Sequence, residues 1–269
     1  MGELRVIVVG ASGRMGRMLV RAVTESRGAC LVGATERPGS AWLGRDAGEL
    51  AGVETLGIQL VDDVNSCPDG DVLIDFTAPE ASLKHAAFVA EHGMGMVIGT
   101  TGFDAAQLQQ LRNTLAGSAV VMAANYSVGV NLALSLIKRA AQVLGDDYDA
   151  EIFEAHHKHK VDAPSGTALA MGQALAAGRS VNLDDVSVLS RQGIVGARKA
   201  GSIGFSVVRG GNIVGEHKAM FIADEERVEI NHTASDRMVF ARGAVRAANW
   251  LSARSNGWYD MQDVLGLSE

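Results

Sequence analysis

A glycine-rich stretch near the start of the chain limits the possible folds more than any other feature. Residues 4–20 read LRVIVVGASGRMGRMLV: an apolar, β-branched run, a glycine at every third position, and then apolar residues at helical spacing. A short continuous apolar run is typical of a strand buried on both faces. The stretch therefore predicts a strand, a tight turn containing Gly10, Gly13 and Gly16, and a helix.

The same alternation continues to about residue 127. Further strand-length apolar runs occupy 29–35, 71–77, 95–101 and 119–125. Helical spacing of apolar residues predicts helices over 13–27, 79–92 and 104–116. Strands that alternate with helices predict an α/β fold with a doubly wound parallel sheet. We expect residues 1–127 to form this domain.

The pattern changes after residue 127. A long amphipathic helix is predicted over 128–145, a strand over 149–157 and a helix over 165–178. Strand-like segments separated only by turn residues follow, which predicts antiparallel pairing. Residues 128–236 are therefore expected to form a second, α+β domain with a mostly antiparallel sheet. Helical spacing returns over 243–254, and we expect 237–269 to pack back on the first domain.

Composition excludes several classes of protein. The chain of 269 residues is 47% hydrophobic and 20% charged, as globular proteins are, and its net charge of −7 argues against nucleic-acid and anionic-membrane surfaces. Its first residues lack the pattern of a signal peptide, and no apolar run reaches the length of a membrane span, so we expect a cytoplasmic protein. Cys30 and Cys67 lack metal-type spacing and are interpreted as reduced thiols.

The glycine turn predicts a dinucleotide-binding site. Glycines permit the sharp turn, let the backbone approach a pyrophosphate and allow the helix to pack close to the sheet, while the helix N-terminus attracts the phosphates. Glu36 follows Gly16 by 20 residues, at the end of the second strand, where a carboxylate binds ribose hydroxyls. Arg37 is a candidate partner for the extra phosphate of NADP, so NADH and NADPH both remain candidates. For Arg37 the alternative is a solvated loop charge, and for the glycines it is a purely structural turn.

Residues 154–169 read EAHHKHKVDAPSGTAL and concentrate titratable nitrogen in one place. His157 and His159 share a strand face and are candidate zinc ligands, but no further ligand motif is present and the lysines repel a cation. We therefore predict no metal site. A nucleic-acid patch conflicts with the net charge, and a solvated strand end accounts for Lys158 and His159.

The remaining interpretation is a proton donor beside an anion site. Pro164 marks the start of a helix, and Ser165, Gly166 and Thr167 offer backbone N–H groups and hydroxyls at its N-terminus, which suits a carboxylate. Simple helix capping by Asp162 or Ser165 is the alternative, and capping and ligand binding are compatible. Lys160 adds a positive charge nearby, and a histidine in such surroundings suits general acid catalysis.

The stretch at 154–169 resembles the signature of the 4-hydroxy-tetrahydrodipicolinate reductases, also called dihydrodipicolinate reductases. The resemblance extends along essentially the whole chain through the segments GASGRMGRML (10–19), DFTAPE (75–80), GTTGF (99–103), AANYSVGVN (123–131) and GEHKAMF (215–221). It implies a Rossmann-type N-terminal domain, an α+β domain and a homotetramer. It also implies NADH- or NADPH-dependent reduction of a small cyclic dicarboxylate in the diaminopimelate route to lysine.

The resemblance assigns roles to individual residues. His156 is implied as the proton donor and Lys160 as a second donor. Substrate carboxylates are implied to contact His157, Gly166 and Thr167, beside the candidate Ser165 named above. The pyrophosphate is implied to bind at Gly10, Ala11, Ser12, Gly13, Arg14 and Met15. The nicotinamide side is implied to be lined by Gly99, Thr100, Thr101, Ala123, Ala124, Asn125 and Tyr126.

Two other functions fit the same pattern less well. A nicotinamide-dependent dehydrogenase acting on an aspartate-family semialdehyde needs a thiol nucleophile, and neither Cys30 nor Cys67 has that sequence context. A non-enzymatic NADH sensor of the DNA-binding type needs a basic reading helix, and the sequence shows none.

Overall fold

The computed structural model describes residues 2–268, and the chain forms two compact units. The first unit comprises the residues up to Val128 and those from Met238, and the second is Gly129–Arg237. The strands are β1 (Leu4–Val9), β2 (Ala29–Thr35), β3 (Leu60–Val61), β4 (Val72–Asp75), β5 (Gly95–Ile98), β6 (Ala119–Met122), β7 (Asp149–His156), β8 (Ser187–Val188), β9 (Ile203–Arg209), β10 (Gly215–Ile222), β11 (Arg227–Ala234) and β12 (Gly257–Tyr259). The helices are α1 (Arg14–Glu25), α2 (Ala47–Ala51), α3 (Pro79–Glu91), α4 (Ala105–Thr114), α5 (Val128–Leu144), α6 (Gly166–Gly178), α7 (Leu183–Val186), α8 (Met238–Leu251) and α9 (Met261–Leu265).

The first unit is built on a parallel sheet in the order β3-β2-β1-β4-β5-β6-β12. From β3 to β6 this is the strand order of a doubly wound dinucleotide-binding sheet, so the predicted Rossmann-type fold is confirmed. The sequence did not predict β12, which pairs with β6 at the edge of the sheet. It also did not predict β3, because strands of two or three residues are too short to show a period.

Helices cover both faces of this sheet. Val6 and Val8 of β1 belong to the core that contains α1 and α8, whereas Ile7 and Val9 belong to the core that contains α3 and α4. Successive side chains of a strand point to opposite faces, so a strand covered on both sides has to be apolar throughout. This packing is the physical reason for the continuous apolar run at the start of the sequence.

The second unit contains a mixed sheet in the order β11-β10-β7-β9-β8. Its α+β class is confirmed, and β10 runs antiparallel to both neighbours. In contrast, β9 runs parallel to both β7 and β8, although β8 and β9 follow each other without a helix between them. Residues 189–202 lie between these two strands, and a connection of that length can carry the chain back to the end of the sheet at which β8 begins, as parallel pairing requires.

Helices α5 and α6 pack on one face of this mixed sheet. Ile137 of α5 and Met171 of α6 form a buried core with Ile152 of β7. Because side chains alternate along a strand, Glu154 and His156 share the face of Ile152. The apolar face of β7 therefore ends in two polar residues, which lie at the end of the strand.

We expect Gly243→Ala in α8 to destabilise the first unit. A Cβ at Gly243 lies 1.7 Å from the carbonyl oxygen of Tyr126, a backbone atom that cannot move aside cheaply. The loss should be about 3 kcal/mol or more, because the clash exceeds the gain of about 1 kcal/mol in helix propensity. Urea unfolding measures this difference.

Gly117→Ala is the matched control, since a Cβ at Gly117 meets no atom within 4 Å. Its free energy of unfolding should stay within about 1 kcal/mol of the parent value. Equal stability of the two variants would contradict the packing described for α8.

Candidate active site

The glycine turn between β1 and α1 has the geometry that a bound pyrophosphate needs. Gly10 has a φ of +65°, in the left-handed region that favours glycine. A Cβ at Gly16 lies 2.1 Å from the carbonyl oxygen of Gly10, so only glycine lets α1 approach the turn this closely. Gly13 is the N-cap of α1 and makes no side-chain capping hydrogen bond. The turn therefore fits a dinucleotide held at the N-terminus of α1.

Glu36 lies directly after β2 and contacts the same turn. Its Oε2 accepts hydrogen bonds from the backbone N–H of Ser12 at 3.1 Å and from the Ser12 hydroxyl at 2.5 Å. Its Oε1 accepts the N–H of Arg37 at 3.0 Å. Glu36, the predicted ribose contact, is thus hydrogen-bonded to the glycine turn. Arg14 and Arg37 have exposed side chains.

A buried carboxylate organises the loops that follow β4 and β5. Asp75 is fully buried, and its Oδ1 accepts the N–H of Thr77 at 3.0 Å, the Thr77 hydroxyl at 2.6 Å and the Thr100 hydroxyl at 3.0 Å. Its Oδ2 lies 2.8 Å from Nδ1 of His85. Burial acts to raise the pKa of Asp75, but the hydrogen bonds from His85 and Thr77 outweigh it, and the pKa lies below its ordinary value.

The residues predicted at the nicotinamide side lie at the ends of β5 and β6. Gly99 packs against the ring of Phe76, where a Cβ comes within 2.1 Å of a ring carbon. Thr100 is buried by the Asp75 network, whereas Thr101 and Ala124 are exposed. The remaining predicted residues are Ala123, which is half-buried, Asn125, whose Oδ1 accepts the N–H of Ser127, and Tyr126.

Tyr126 is buried in the first unit rather than open to a ligand. Its hydroxyl donates to the carbonyl oxygens of Ile98 at 2.8 Å and Val121 at 2.9 Å. Burial raises the pKa of Tyr126, so the phenol stays protonated. The side chain therefore joins the ends of β5 and β6.

In the second unit, His156 is held by a buried glutamate on its own strand. Nδ1 of His156 lies 2.6 Å from Oε2 of Glu154, whose side chain is 1% exposed. Arg209, at the end of β9, donates to both carboxylate oxygens at 2.7 and 2.8 Å. Burial acts to raise the pKa of Glu154, but the hydrogen bonds from Arg209 and His156 outweigh it and leave the pKa below its ordinary value.

Strand register brings these side chains together. In the parallel pairing His156 lies opposite Arg209, and in the antiparallel pairing His217 lies opposite Glu154. His217 packs edge-on against His156, with ring centroids 5.0 Å apart. Burial, followed by the charge of His156, lowers the pKa of His217 to about 4, so this ring is neutral near pH 7. His217 therefore places an uncharged ring in contact with His156.

The start of α6 adjoins this cluster. The Ser165 hydroxyl accepts the N–H of Ala168 at 3.2 Å, so Ser165 caps the helix, and the same oxygen lies 3.2 Å from Nε2 of His217. The Ser165 N–H donates to Oε1 of Glu154 at 2.9 Å. Gly166 is exposed and Thr167 half-buried, and both lie in the first turn of α6.

The turn between β7 and α6 carries the remaining predicted residues. Lys160 Nζ forms an ion pair with Oδ1 of Asp162 at 2.8 Å. Nε2 of His157 lies 3.1 Å from a guanidinium nitrogen of Arg237. Burial, followed by the charge of Arg237, lowers the pKa of His157. His159 is exposed, in agreement with its interpretation as a solvated residue.

Four residues of this cluster were not predicted from the sequence: Glu154, Arg209, His217 and Arg237. Glu154 carries a readable signal, because it lies two positions before His156 and strand alternation places both on one face. Arg209 and His217 come from strands whose pairing partners the sequence does not specify. Only the observed register shows that they meet β7 at this point.

Other kinds of site find no support in the described chain. Within residues 2–268, no group of three or more His, Cys, Asp or Glu side chains is placed to hold a metal ion, and no helix is long and apolar enough to cross a membrane. Cys30 and Cys67 are free and half-buried, and burial raises the pKa of Cys67 to about 11. That shift disfavours the thiolate that an aldehyde-oxidising nucleophile needs.

Both units match models of one protein family. Residues 4–126 match the model described as dihydrodipicolinate reductase, N-terminus. Residues 129–265 match the model described as dihydrodipicolinate reductase, C-terminus. Together the two matches cover nearly all of the chain.

Solved structures share the fold over the whole chain. A dihydrodipicolinate reductase from Paenisporosarcina sp. TG-14, with dipicolinate bound, is 24% identical with a TM-score of 0.78, over 97% of this chain and 98% of that one. An amine dehydrogenase from Mycobacterium smegmatis is 15% identical with a TM-score of 0.59, over 96% of this chain and 94% of that one. GenD2 of gentamicin A biosynthesis, in complex with NAD, is 14% identical with a TM-score of 0.59, over 99% of this chain and 91% of that one. At these identities the likeness shows the fold.

We expect Asp75→Ala to destabilise the first unit in a pH-dependent way. The variant removes a charged acceptor from buried N–H and O–H donors, which should lower the free energy of unfolding by roughly 2–4 kcal/mol at pH 7. A carboxyl whose pKa is lowered by folding stabilises above its ordinary value of 3.8 and loses this effect as the pH falls below it. The difference from the parent should therefore shrink between pH 5 and pH 3 in urea unfolding experiments.

Asp71→Ala is the control, because Asp71 pairs with Arg5 at the surface, where both side chains are about half exposed. Its cost should stay at about 1 kcal/mol or less. A pH-independent loss for Asp75→Ala would show that the charge of Asp75 does not stabilise the loops.

Proposed function

The chain belongs to the dihydrodipicolinate reductase family, and from this membership we propose how its residues divide the reaction between them. It is an oxidoreductase with dihydrodipicolinate reductase activity, a step of lysine biosynthesis. Its N-terminal unit is a nicotinamide-cofactor domain. The choice between NADH and NADPH, the substrate contacts and the proton donor are the proposed parts.

The first unit binds either NADH or NADPH in this proposal. Residues 10–15 and the N-terminus of α1 hold the pyrophosphate, and Gly16 supports this site because it lets α1 pack close to the turn. Glu36 accepts hydrogen bonds from the adenosine ribose, and the exposed Arg37 pairs with the extra phosphate of NADPH. Residues 99–101 and 123–126 line the nicotinamide side. The bound cofactor supplies a hydride to carbon C4 of the substrate ring.

The second unit binds the two carboxylates of the ring substrate. Support comes from the basic surroundings of the α6 N-terminus, where Lys160 and His157 lie on the preceding turn. We assign one carboxylate to the first turn of α6, at Gly166 and Thr167 next to the cap residue Ser165, and to the positive charge of Lys160. The Ser165 N–H itself donates to Glu154. The relative from Paenisporosarcina, which has dipicolinate bound, is consistent with a ligand of this class.

His156 protonates the carbon next to C4 after hydride transfer, with Lys160 as a second donor. The observation that carries this assignment is the contact of Glu154 with Nδ1 of His156, because it leaves Nε2 to exchange a proton with the substrate. Positive groups around the ring stabilise the negative charge that develops as hydride arrives. The carboxylate contacts keep the ring in one orientation during both steps.

A coupled assay tests the function. The unstable substrate is generated in place from pyruvate and aspartate semialdehyde by the preceding synthase, and consumption of NADH or NADPH is followed by absorbance. Synthase-dependent consumption is expected with both cofactors. Protein that binds the cofactors but consumes neither would contradict the function and favour a cofactor sensor. Consumption that requires only the semialdehyde would favour a semialdehyde dehydrogenase.

The homotetramer implied by the family resemblance and the location expected from the sequence stay predictions. A homotetramer should sediment at about four times the chain mass of 28.2 kDa. The cytoplasmic location is likewise an expectation from the sequence.

We expect His156→Ala and Lys160→Ala to lower kcat in the coupled assay. Loss of a general acid costs roughly 10²–10⁴-fold in rate, and the donor that acts directly should show the larger loss. NADH affinity, measured by fluorescence titration, should stay at the parent value because both residues lie in the second unit.

His159→Ala is the control, since His159 is exposed on the same turn. It should keep the parent kcat. Parent-like kcat in His156→Ala would refute the donor assignment while leaving the coupled activity intact.

We also expect Arg37→Ala to weaken NADPH and spare NADH. A charge-assisted contact is worth about 1.5–3 kcal/mol, which corresponds to roughly a 10- to 100-fold rise in KM for NADPH. Glu36→Gln should weaken NADH more than NADPH, because the ribose hydroxyls lose a charged acceptor. Equal changes for both cofactors in either variant would refute the assignment of these two residues.

A further inference from the structure

Glu154 is a buried charge that donates no proton and binds no ligand in the proposed mechanism. Its side chain is 1% exposed, and burying a carboxylate is costly unless every oxygen is hydrogen-bonded. Here the carboxylate accepts from His156, from Ser165 and twice from Arg209. A charge surrounded in this way fixes the groups that surround it.

The two oxygens of Glu154 hold two different parts of the site. Oε2 lies 2.6 Å from Nδ1 of His156, and Oε1 accepts the N–H of Ser165 at 2.9 Å. Ser165 is the N-cap of α6, so its N–H marks the entry to the turn that we assign to a substrate carboxylate. A single rigid group thus spans the proton donor and the anion site.

Arg209 holds the short segment of chain that leads into the first turn of α6. The nitrogen that donates to Oε1 of Glu154 also donates to the carbonyl oxygen of Asp162 at 2.6 Å. Residues 162–165 are therefore tied at one end to Arg209 and at the other to Glu154. The planar guanidinium and the planar carboxylate form a bidentate pair, which restricts orientation as well as distance.

The position of His156 leaves one ring nitrogen for chemistry. Its Nδ1 is engaged by Glu154, and Gly215 of β10 lies beside Nε2, where a Cβ comes within 3.2 Å. Glycine at this position leaves space next to the nitrogen that exchanges the proton. A carboxylate on one imidazole nitrogen selects the tautomer and stabilises the charged ring.

We propose that Glu154, held by Arg209, is a positioning residue that sets the proton donor His156 and the carboxylate-binding turn of α6 at a fixed separation. The proposal rests on the proposed roles of His156 and of the α6 N-terminus. It differs from a purely structural ion pair because it requires effects on proton transfer and on dicarboxylate binding in protein that is folded and binds NADH normally.

Glu154→Gln is the test variant, because it keeps the shape of the side chain and removes its charge. Three readouts are compared: kcat in the coupled assay with synthase in excess, the inhibition constant of dipicolinate, and NADH affinity. We expect kcat to fall roughly 10- to 100-fold, the scale of losing a partner that orients a reacting group. Dipicolinate should bind several-fold more weakly, and NADH affinity should not change.

Glu151→Gln is the matched control. Glu151 lies on the same strand, three residues earlier, and pairs with two arginines, Arg191 and Arg198, but it does not contact His156. It should keep the parent kcat and the parent inhibition constant. An equal loss of kcat in both glutamine variants would show a general requirement for ion pairs on β7 and would overturn the proposal.

The pH dependence of kcat distinguishes a positioning role of Glu154 from a purely structural role, because loss of a structural contact alone would leave the pH profile unchanged. The titratable and charged groups around His156 are Glu154 on its own strand, His217 from β10 and Arg209, which lies opposite it on β9. On the turn before α6, Lys160 and Asp162 pair with each other. Of these, Glu154 supplies the negative charge in direct contact with the ring. In Glu154→Gln the alkaline limb of the kcat profile should therefore move to lower pH, since the protonated donor loses its anionic partner.

Arg209→Lys keeps the proposal testable if Glu154→Gln does not fold. Lysine retains the positive charge but cannot hold both Glu154 and the carbonyl oxygen of Asp162 with a planar fork. We expect weaker dipicolinate binding with an alkaline limb at the parent pH, because Glu154 still contacts His156. A parent-like inhibition constant in Arg209→Lys would overturn its role in fixing the turn.

Failure of this inference is distinguishable from failure of the proposed function. If His156→Ala loses kcat while Glu154→Gln keeps the parent kcat and pH profile, the donor assignment holds and the positioning role is wrong. If His156→Ala keeps the parent kcat, the proposed donor is wrong, and the positioning role falls with it.

Discussion

Each unit of the protein is organised around a buried carboxylate that must be fully hydrogen-bonded. In the first unit, Asp75 is hydrogen-bonded to Thr77, Thr100 and His85. In the second unit, Glu154 is hydrogen-bonded to His156 and Arg209. An unpaired charge at either position would cost several kcal/mol, so the surrounding loops have little freedom to rearrange. In both units the carboxylate lies near the end of a strand, which is where the functional loops begin.

Features set by neighbouring residues could be predicted from the sequence. The glycine turn follows from Gly10 and Gly16, because one needs a positive φ and the other has no room for a Cβ. The helix after residue 165 and a polar cap at its start follow from local hydrogen-bonding preferences, and the structure shows that the cap is Ser165 rather than Asp162. The position of Glu36 after β2 follows from its distance of 20 residues from Gly16 along the sequence. These features need only short stretches of chain, and all of them appear in the structure.

Features set by distant residues could not be predicted in the same way. Arg209 lies 55 residues from Glu154, and only the pairing of β7 with β9 brings the two together. The direction of β9 also escaped prediction, because a long connection can return the chain to either end of a sheet. Asp75 ends β4 and its partner His85 lies in α3. The apolar periodicity predicted this helix, but it did not predict which of the helix's polar side chains would point towards β4.

A crystal structure of the protein with dipicolinate would test the central claim most directly. The account predicts one ligand carboxylate at the backbone N–H groups that open α6, with Nε2 of His156 directed at the ligand and its Nδ1 still in contact with Glu154. Arg209 should keep both of its contacts, to Glu154 and to the Asp162 carbonyl. Dipicolinate bound away from α6, or a His156 ring separated from Glu154 in the complex, would contradict the account.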